Sequence, residues 1–184
     1  MGDGKDQEAA KAAVAALQAK SGAQMQIGGE LAGSLVEQLK QAHIQYKQIE
    51  GGLFEIDCSL TRNYPEVALD LSVLNPIAEK IHTLDLSKTK IRDAGLAPVA
   101  KFKNLRRLLL SRTTVGDDAL EHVAGLQSLE ILNLYGTNVS NSGLDHLKDL
   151  SGLKKLYLWN SKATSAGGER LKKVIPDLEV NVGQ

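Results

Sequence analysis

Cysteine is nearly absent from this sequence, occurring once as Cys58. A single thiol excludes an intramolecular disulfide framework and an all-cysteine zinc cluster, and it leaves the redox compartment open. Net charge is also missing, since 22 basic groups balance 22 acidic ones, so the bulk electrostatic argument for nucleic acid falls away. No apolar run approaches the roughly 20 residues that a membrane-spanning helix needs. The polar segment Met1 to Ala10 leads into an Ala-rich stretch with no cleavage pattern, which gives no secretory signal. A soluble chain is expected, cytoplasmic or exported with its signal removed.

Catalytic signatures are missing too. There is no G-x-S-x-G elbow, no phosphate-cradling G-x-x-x-x-G-K, no G-x-G-x-x-G and no H-E-x-x-H. No nucleophile and base pair can be diagnosed, so the chain is expected not to be an enzyme and to need neither cofactor nor metal. What is present is 184 residues, of which 42% are hydrophobic. That suffices for one compact domain, or one with a small appendage.

The dominant feature is a repeat. Leu84-Asp-Leu86-Ser-Lys-Thr89 recurs as Leu108-Leu-Leu110-Ser-Arg-Thr113, Leu132-Asn-Leu134-Tyr-Gly-Thr137 and Leu156-Tyr-Leu158-Trp-Asn-Ser161, each 24 residues after the last. The first unit places apolar residues at Ile81, Leu84, Leu86, Ile91, Leu96, Val99 and Phe102. Shifted copies of this set stay apolar throughout, with Gly168 the one departure. Alternation in L-x-L reads as a short strand, and the i, i+3, i+6 spacing of Leu96, Val99 and Phe102 suits one short helix. Asp93, Asp117, Asn141 and Ser165 stand before these helices and are expected to act as N-caps. Thr89, Thr113, Thr137 and Ser161 read as a hydroxyl ladder that binds turn backbone groups. One such unit cannot bury its own apolar face, so the units must stack with their strands in parallel.

Over residues 81 to about 182 the pattern L-x-x-L-x-L-x-x-T-x-V-x-D-x-G-L-x-x-L-x-x-L resembles the leucine-rich repeat family. In texture it looks like the Thr-containing repeats common in bacterial proteins, and it is similar to the cysteine-containing subfamily without its Cys. The resemblance implies an α/β leucine-rich repeat solenoid, a curved scaffold whose concave strand face binds other proteins. It does not imply an enzyme.

The expected organisation is an N-terminal helix and hairpin cap leading into a degenerate first repeat over 1–80, then four repeats and a truncated strand over 81–184. Within the cap, Lys5 to Lys20 is helical by propensity, and Glu30 to Ala42 is amphipathic through Leu31, Leu35, Leu39 and Ala42. Ile44 to Ile49 and Leu53 to Ser59 flank Glu50-Gly51-Gly52 as a hairpin, which leaves Cys58 half-buried. Leu69-Asp-Leu71-Ser echoes the later strands. At the other end, Val180 and Val182 continue the files of Leu156 and Leu158, and Pro176 stops the last helix.

Residues between the core leucines must point onto the concave face. Three outward columns follow, one through Thr83, Arg107, Ile131 and Lys155, a second through Asp85, Leu109, Asn133 and Tyr157, and a third through Ser87, Ser111, Tyr135 and Trp159. Tyr135 and Trp159 should be neighbours with Tyr157 beside them. Rings with Asn133, Lys155 and Arg107 nearby have the composition of a protein-binding hot spot, and the bland alternative is that they shield the last repeat or the carboxyl tail. His122 and His146 share a convex column, where a solvated surface outweighs a metal site. His43 and His82 have no identifiable partner. Lys101, Lys103, Arg106, Arg107 and Arg112 bunch at one repeat junction, and Lys154, Lys155, Lys172 and Lys173 recur later, a pattern read as ordinary loop charge ahead of an anion site.

The expected function is a non-enzymatic scaffold that binds another protein through its concave face. The competing reading is an assembly protein that self-associates through its N-terminal region or a sheet edge. No nucleic acid partner is expected, and a monomer is slightly favoured over an oligomer.

Overall fold

A computed structural model describes residues 31–64 and 68–183. The helix expected over Lys5 to Lys20 lies outside the described residues. The repeats form the α/β leucine-rich repeat solenoid that their spacing requires. Among the described residues seven strands join into one sheet in chain order, namely β1 (Gln45–Gln48), β2 (Phe54–Asp57), β3 (Ile81–Asp85), β4 (Arg107–Leu109), β5 (Ile131–Asn133), β6 (Lys155–Tyr157) and β7 (Glu179–Asn181). β1 and β2 are antiparallel and every later pair is parallel.

The register is the 24-residue period made physical. Leu84 pairs with Leu108, Leu108 with Leu132, Leu132 with Leu156, and Leu156 with Val180. These leucines are fully buried, as are Leu86, Leu110 and Leu134 in the parallel file. Pairing runs past the strand ends, because the Leu86 N–H donates to the Leu109 carbonyl and the Leu110 N–H to that of Asn133. Each unit therefore completes its backbone hydrogen bonds only against its neighbour, which is why the stack, and not the single repeat, is the stable object.

The hydroxyl ladder forms as expected. Thr89, Thr113, Thr137 and Ser161 each donate to the carbonyl three residues earlier, at 2.6–2.8 Å. Thr61 adds a rung, donating to the Cys58 carbonyl at 2.8 Å. β2 thus extends the parallel stack one strand before β3, with Ile56 paired to Leu84 and Cys58 standing in the file of Leu86. Cys58 is fully buried, deeper than a hairpin strand suggested, and its backbone N–H continues the ladder to Asp85. The echo at Leu69 to Ser72 is not a strand. Leu71–Lys80 is a tight helical segment that buries Leu71, Leu74, Ile77 and Ala78, with the Asp70 carboxylate accepting from the Ser72 N–H.

Ahead of the sheet, helix α1 (Gly33–Gln41) buries Leu35 and Leu39 on one face. Two residues past its end stands His43, whose φ of 54° turns the chain into β1 and whose ring stacks on Tyr64 with centroids 3.5 Å apart. The hairpin turns through Gly51 and Gly52, both at positive φ, a conformation that only glycine takes without strain.

The convex side departs from the expectation in detail. Asp93–Lys101 is a 3-10 segment containing Pro98, α2 (Asp118–Glu121) and α3 (Asn141–Leu144) are single turns, and only α4 (Ser165–Val174) is a full helix. The N-cap expectation also fails for most of its column. Asp93, Asn141 and Ser165 lie at the first helical position, and Asp117 occupies the cap position without a side-chain cap bond. The caps that do form are Ser140, accepting from Ser142, and Thr164, accepting from Gly167.

The Asp/Asn column instead reaches across to the next repeat. Asp93 accepts from the Gly116 N–H at 2.6 Å, Asp117 from the Ser140 N–H at 2.7 Å and its hydroxyl at 2.6 Å, and Asn141 from the Thr164 N–H at 2.9 Å. Each of these side chains satisfies a turn amide of the following repeat and so ties two units together, which a side chain turned back on its own helix would not do. The glycines beside these staples have a matching role, since a Cβ on Gly143 would strike Asp117 and one on Gly167 would strike Asn141. Gly168, the break in the apolar pattern, is filled from outside by Val180.

Candidate functional site

Strand alternation sets the outward columns as expected. Arg107 and Lys155 are exposed with half-buried Ile131 between them, and half-buried Asn133 lies beside exposed Tyr157. Tyr135 and Trp159 meet on the third column with ring centroids 5.3 Å apart and planes inclined by 43°. Trp159 keeps 56% of its surface exposed although Gly183 packs against its indole so closely that a Cβ there would overlap the ring. The tail contact that the bland reading proposed therefore exists, and it coexists with a largely open indole.

Tyr157 does not join the pair. It is 36% exposed and makes no ring contact with Tyr135 or Trp159 among the described residues. Its place is beside β7, where Lys155, Tyr157, Glu179, Asn181 and Gly183 line a shallow groove of about 480 Å³. Asn133 has a bond of its own, its Oδ1 accepting from the Tyr135 N–H at 2.9 Å. Asp57, Asp85 and Asn181 make the same turn toward Ser59, Ser87 and Gly183. This residue positions Tyr135 as much as it presents an amide.

Arg112 is the residue that the strand columns miss. Its guanidinium lies 5.3 Å from the centroid of Tyr135, and Nη2 donates to the Tyr135 hydroxyl at 3.3 Å. The backbone explains the reach. Lys88, Arg112, Gly136 and Asn160 share one column, and all have φ between 56° and 65°. In this left-handed turn the N–H of Arg112 donates to the Tyr135 carbonyl at 2.7 Å, which carries its side chain toward the next repeat. Gly and Asn in that column are the sequence signal for such a turn.

The basic cluster divides. Arg106 and Lys154 both bind Glu130, at 2.9 and 3.2 Å, and this pairing holds the Glu130 carboxyl below its ordinary range, chiefly through the hydrogen bond from Lys154. Lys172 pairs with Glu169 at 3.0 Å and Lys155 loosely with Glu179 at 3.8 Å. Arg107 has no ion-pair partner among the described residues. Of the histidines, His43 stacks on Tyr64, and Nδ1 of His82 lies 3.3 Å from the Thr83 hydroxyl. Among the described residues no three ligating side chains gather as a metal site requires. Nor is any described helix long and apolar enough to cross a membrane.

No protein-family model and no curated protein match the chain. Among solved structures it is similar to a leucine-rich repeat protein of Leptospira interrogans, with 21% identity over 62% of this chain and 28% of that one and a TM-score of 0.48. The chain thus spans less than a third of that protein's length. It is also similar to the leucine-rich repeat ectodomain of the receptor kinase SOBIR1 from Arabidopsis thaliana, with 13% identity over 81% of this chain and 89% of that one, and a TM-score of 0.49. A third likeness is to the tropomodulin C-terminal domain of Caenorhabditis elegans, at 13% identity over 78% and 90% of the two chains, with a TM-score of 0.48. The fold itself is carried by the 24-residue register of this chain's own strands.

Proposed function

We infer that this protein is a non-catalytic binding module that holds another protein against its concave face. The surface consists of Tyr135, Tyr157 and Trp159 with Asn133, Lys155 and Arg107, joined by Arg112. The observation that carries this reading is the Tyr135–Trp159 pair, two rings packed on each other at 5.3 Å on the strand face, with the indole more than half exposed. Rigid rings lose little side-chain entropy on binding, and an aromatic pair braced by a cation is the usual centre of a protein interface.

Affinity capture of partners on wild-type protein and on the triple variant Tyr135→Ala, Tyr157→Ala, Trp159→Ala tests it. Loss of recovery with folding intact is the expected result. Unchanged recovery discards the concave site. Self-association is a second reading, favoured by the outer edge of β7, whose strand is exposed at Glu179 and Asn181. Light scattering across a wide concentration range separates the two, since a strict monomer argues against assembly.

A further inference from the structure

We propose that the partner of this concave face is an acidic, extended protein segment that lies across β4, β5 and β6 with two carboxylates about three residues apart. The proposal rests on the concave-face reading above and names the chemistry of the ligand. Arg107 and Lys155 occupy one column on β4 and β6, with Ile131 between them on β5. Two strand spacings separate the cations by about 10 Å, and a segment extended in the polyproline II conformation, with three residues per turn and a rise of about 3.1 Å each, brings every third side chain to the same side at about 9 Å. Arg107 makes no ion pair among the described residues, and the Lys155 contact to Glu179 is long and solvent-exposed on both sides, so both cations are available to a ligand. Between them, Ile131 and neighbouring Leu109 offer apolar surface to the residues that separate the two acids.

On the other half of the same face acids predominate, since Lys47 is matched by Glu55 at 4.0 Å and two further carboxylates remain. Asp57 and Asp85 stand on β2 and β3, each with one carboxylate oxygen engaged by a turn amide and the other left over. A carboxylate displaced toward that end meets repulsion, which confines an acidic segment to β4 through β6. Protein is favoured over single-stranded nucleic acid. Acidic residues interleave with the cations of this face, the chain as a whole has no net charge, and Tyr135 and Trp159 pack on each other instead of standing open to bases.

A random 12-residue peptide library displayed on phage, panned against wild-type protein, is the test. The best peptide is then synthesised and titrated while the emission of Trp159, the one tryptophan in the chain, is followed. Enrichment of paired Asp or Glu spaced by three, with affinity at least tenfold weaker for Arg107→Glu/Lys155→Glu and restored in part by Arg107→Lys, is the expected result. Both side chains are exposed, and circular dichroism verifies that the variants fold. Neutral or basic consensus peptides that still require Tyr135 and Trp159 overturn the acidic-segment proposal and leave the concave site standing. Peptides indifferent to all of these residues, or no enriched peptide at all, overturn both. Tight binding of a single-stranded oligonucleotide in place of peptides also overturns the proposal.

Discussion

Replacing Asp117 by Ala removes two bonds that run between repeats. The Ser140 N–H at 2.7 Å and the Ser140 hydroxyl at 2.6 Å both lose their acceptor, and both residues are half-buried. A hydrogen bond to a charged acceptor contributes about 1.5–3 kcal/mol. Partial access of water to this one keeps the sum of the two bonds near 2 kcal/mol. Ser140→Ala removes the hydroxyl bond and the cap to Ser142, at about 1 kcal/mol each and about 2 kcal/mol together. The double variant separates a staple from a cap. If Asp117 acts across the repeat boundary, the two substitutions share the hydroxyl bond and their coupling is about 1 kcal/mol, whereas independent sites add to within about 0.5 kcal/mol. Loss of the Ser142 cap occurs in both halves of the cycle and cancels. Urea unfolding followed by far-ultraviolet circular dichroism and by Trp159 emission supplies the four free energies. Additivity within error, with Asp117→Ala costing only the ~1 kcal/mol of an ordinary cap, refutes the staple.

Four further expectations follow from single residues. Gly143→Ala should destabilise by more than ~1 kcal/mol, because its Cβ would strike Asp117, while Gly33→Ala in the open first turn of α1 should stabilise by about 0.5–1 kcal/mol; thermal melts compare them. Lys88→Gly should gain about 0.5–1 kcal/mol in urea titrations, since Lys88 holds a φ of 62° with an exposed side chain. The Glu130 carboxyl titrates lower in the folded chain than in the unfolded one, so its stabilising effect is present above the ordinary carboxylate range and is lost as pH falls through the depressed folded value. Wild type should then exceed Glu130→Gln by a few tenths of a kcal/mol at pH 7 and by nothing at pH 2, a gap that salt also narrows. Burial, aided by the Asp57 and Asp85 carboxylates, pushes the Cys58 thiol well above its ordinary range. Labelling of this thiol at pH 8 should therefore proceed only as fast as the chain unfolds, and immediate labelling of the folded protein contradicts its burial.

The repeat made the sheet readable from residues 81 onward because each unit states the same apolar pattern, and position in a file follows by counting. Leu84, Leu108, Leu132 and Leu156 fall into one file by that count alone. β2 was legible as the second arm of the hairpin but not as a member of the parallel stack, since Ile56 lies 28 residues before Leu84 instead of 24 and Cys58 stands where the repeats carry leucine. The pairing of Ile56 with Leu84 is a long-range choice that only the sheet reveals. Local chemistry misled at the Asp/Asn column, where cap preference is a statement about one helix and the actual donors belong to the next repeat. Arg112 was hidden for a related reason. Strand alternation ends at Ser111, and the left-handed turn that carries this side chain to Tyr135 lies beyond its reach.

Deletion of residues 106–129, one full period, tests most directly whether constant spacing builds the stack. It joins Leu105 to Glu130, so that Leu105 takes the place of Leu129, every apolar file stays continuous, and Asp93 comes to face Ser140. The shortened chain should unfold cooperatively at lower stability, with the emission of Trp159 in its folded state unchanged. A deletion two residues shorter throws the files out of register and should abolish cooperative unfolding. Equal tolerance of the two deletions, or equal collapse, contradicts the account.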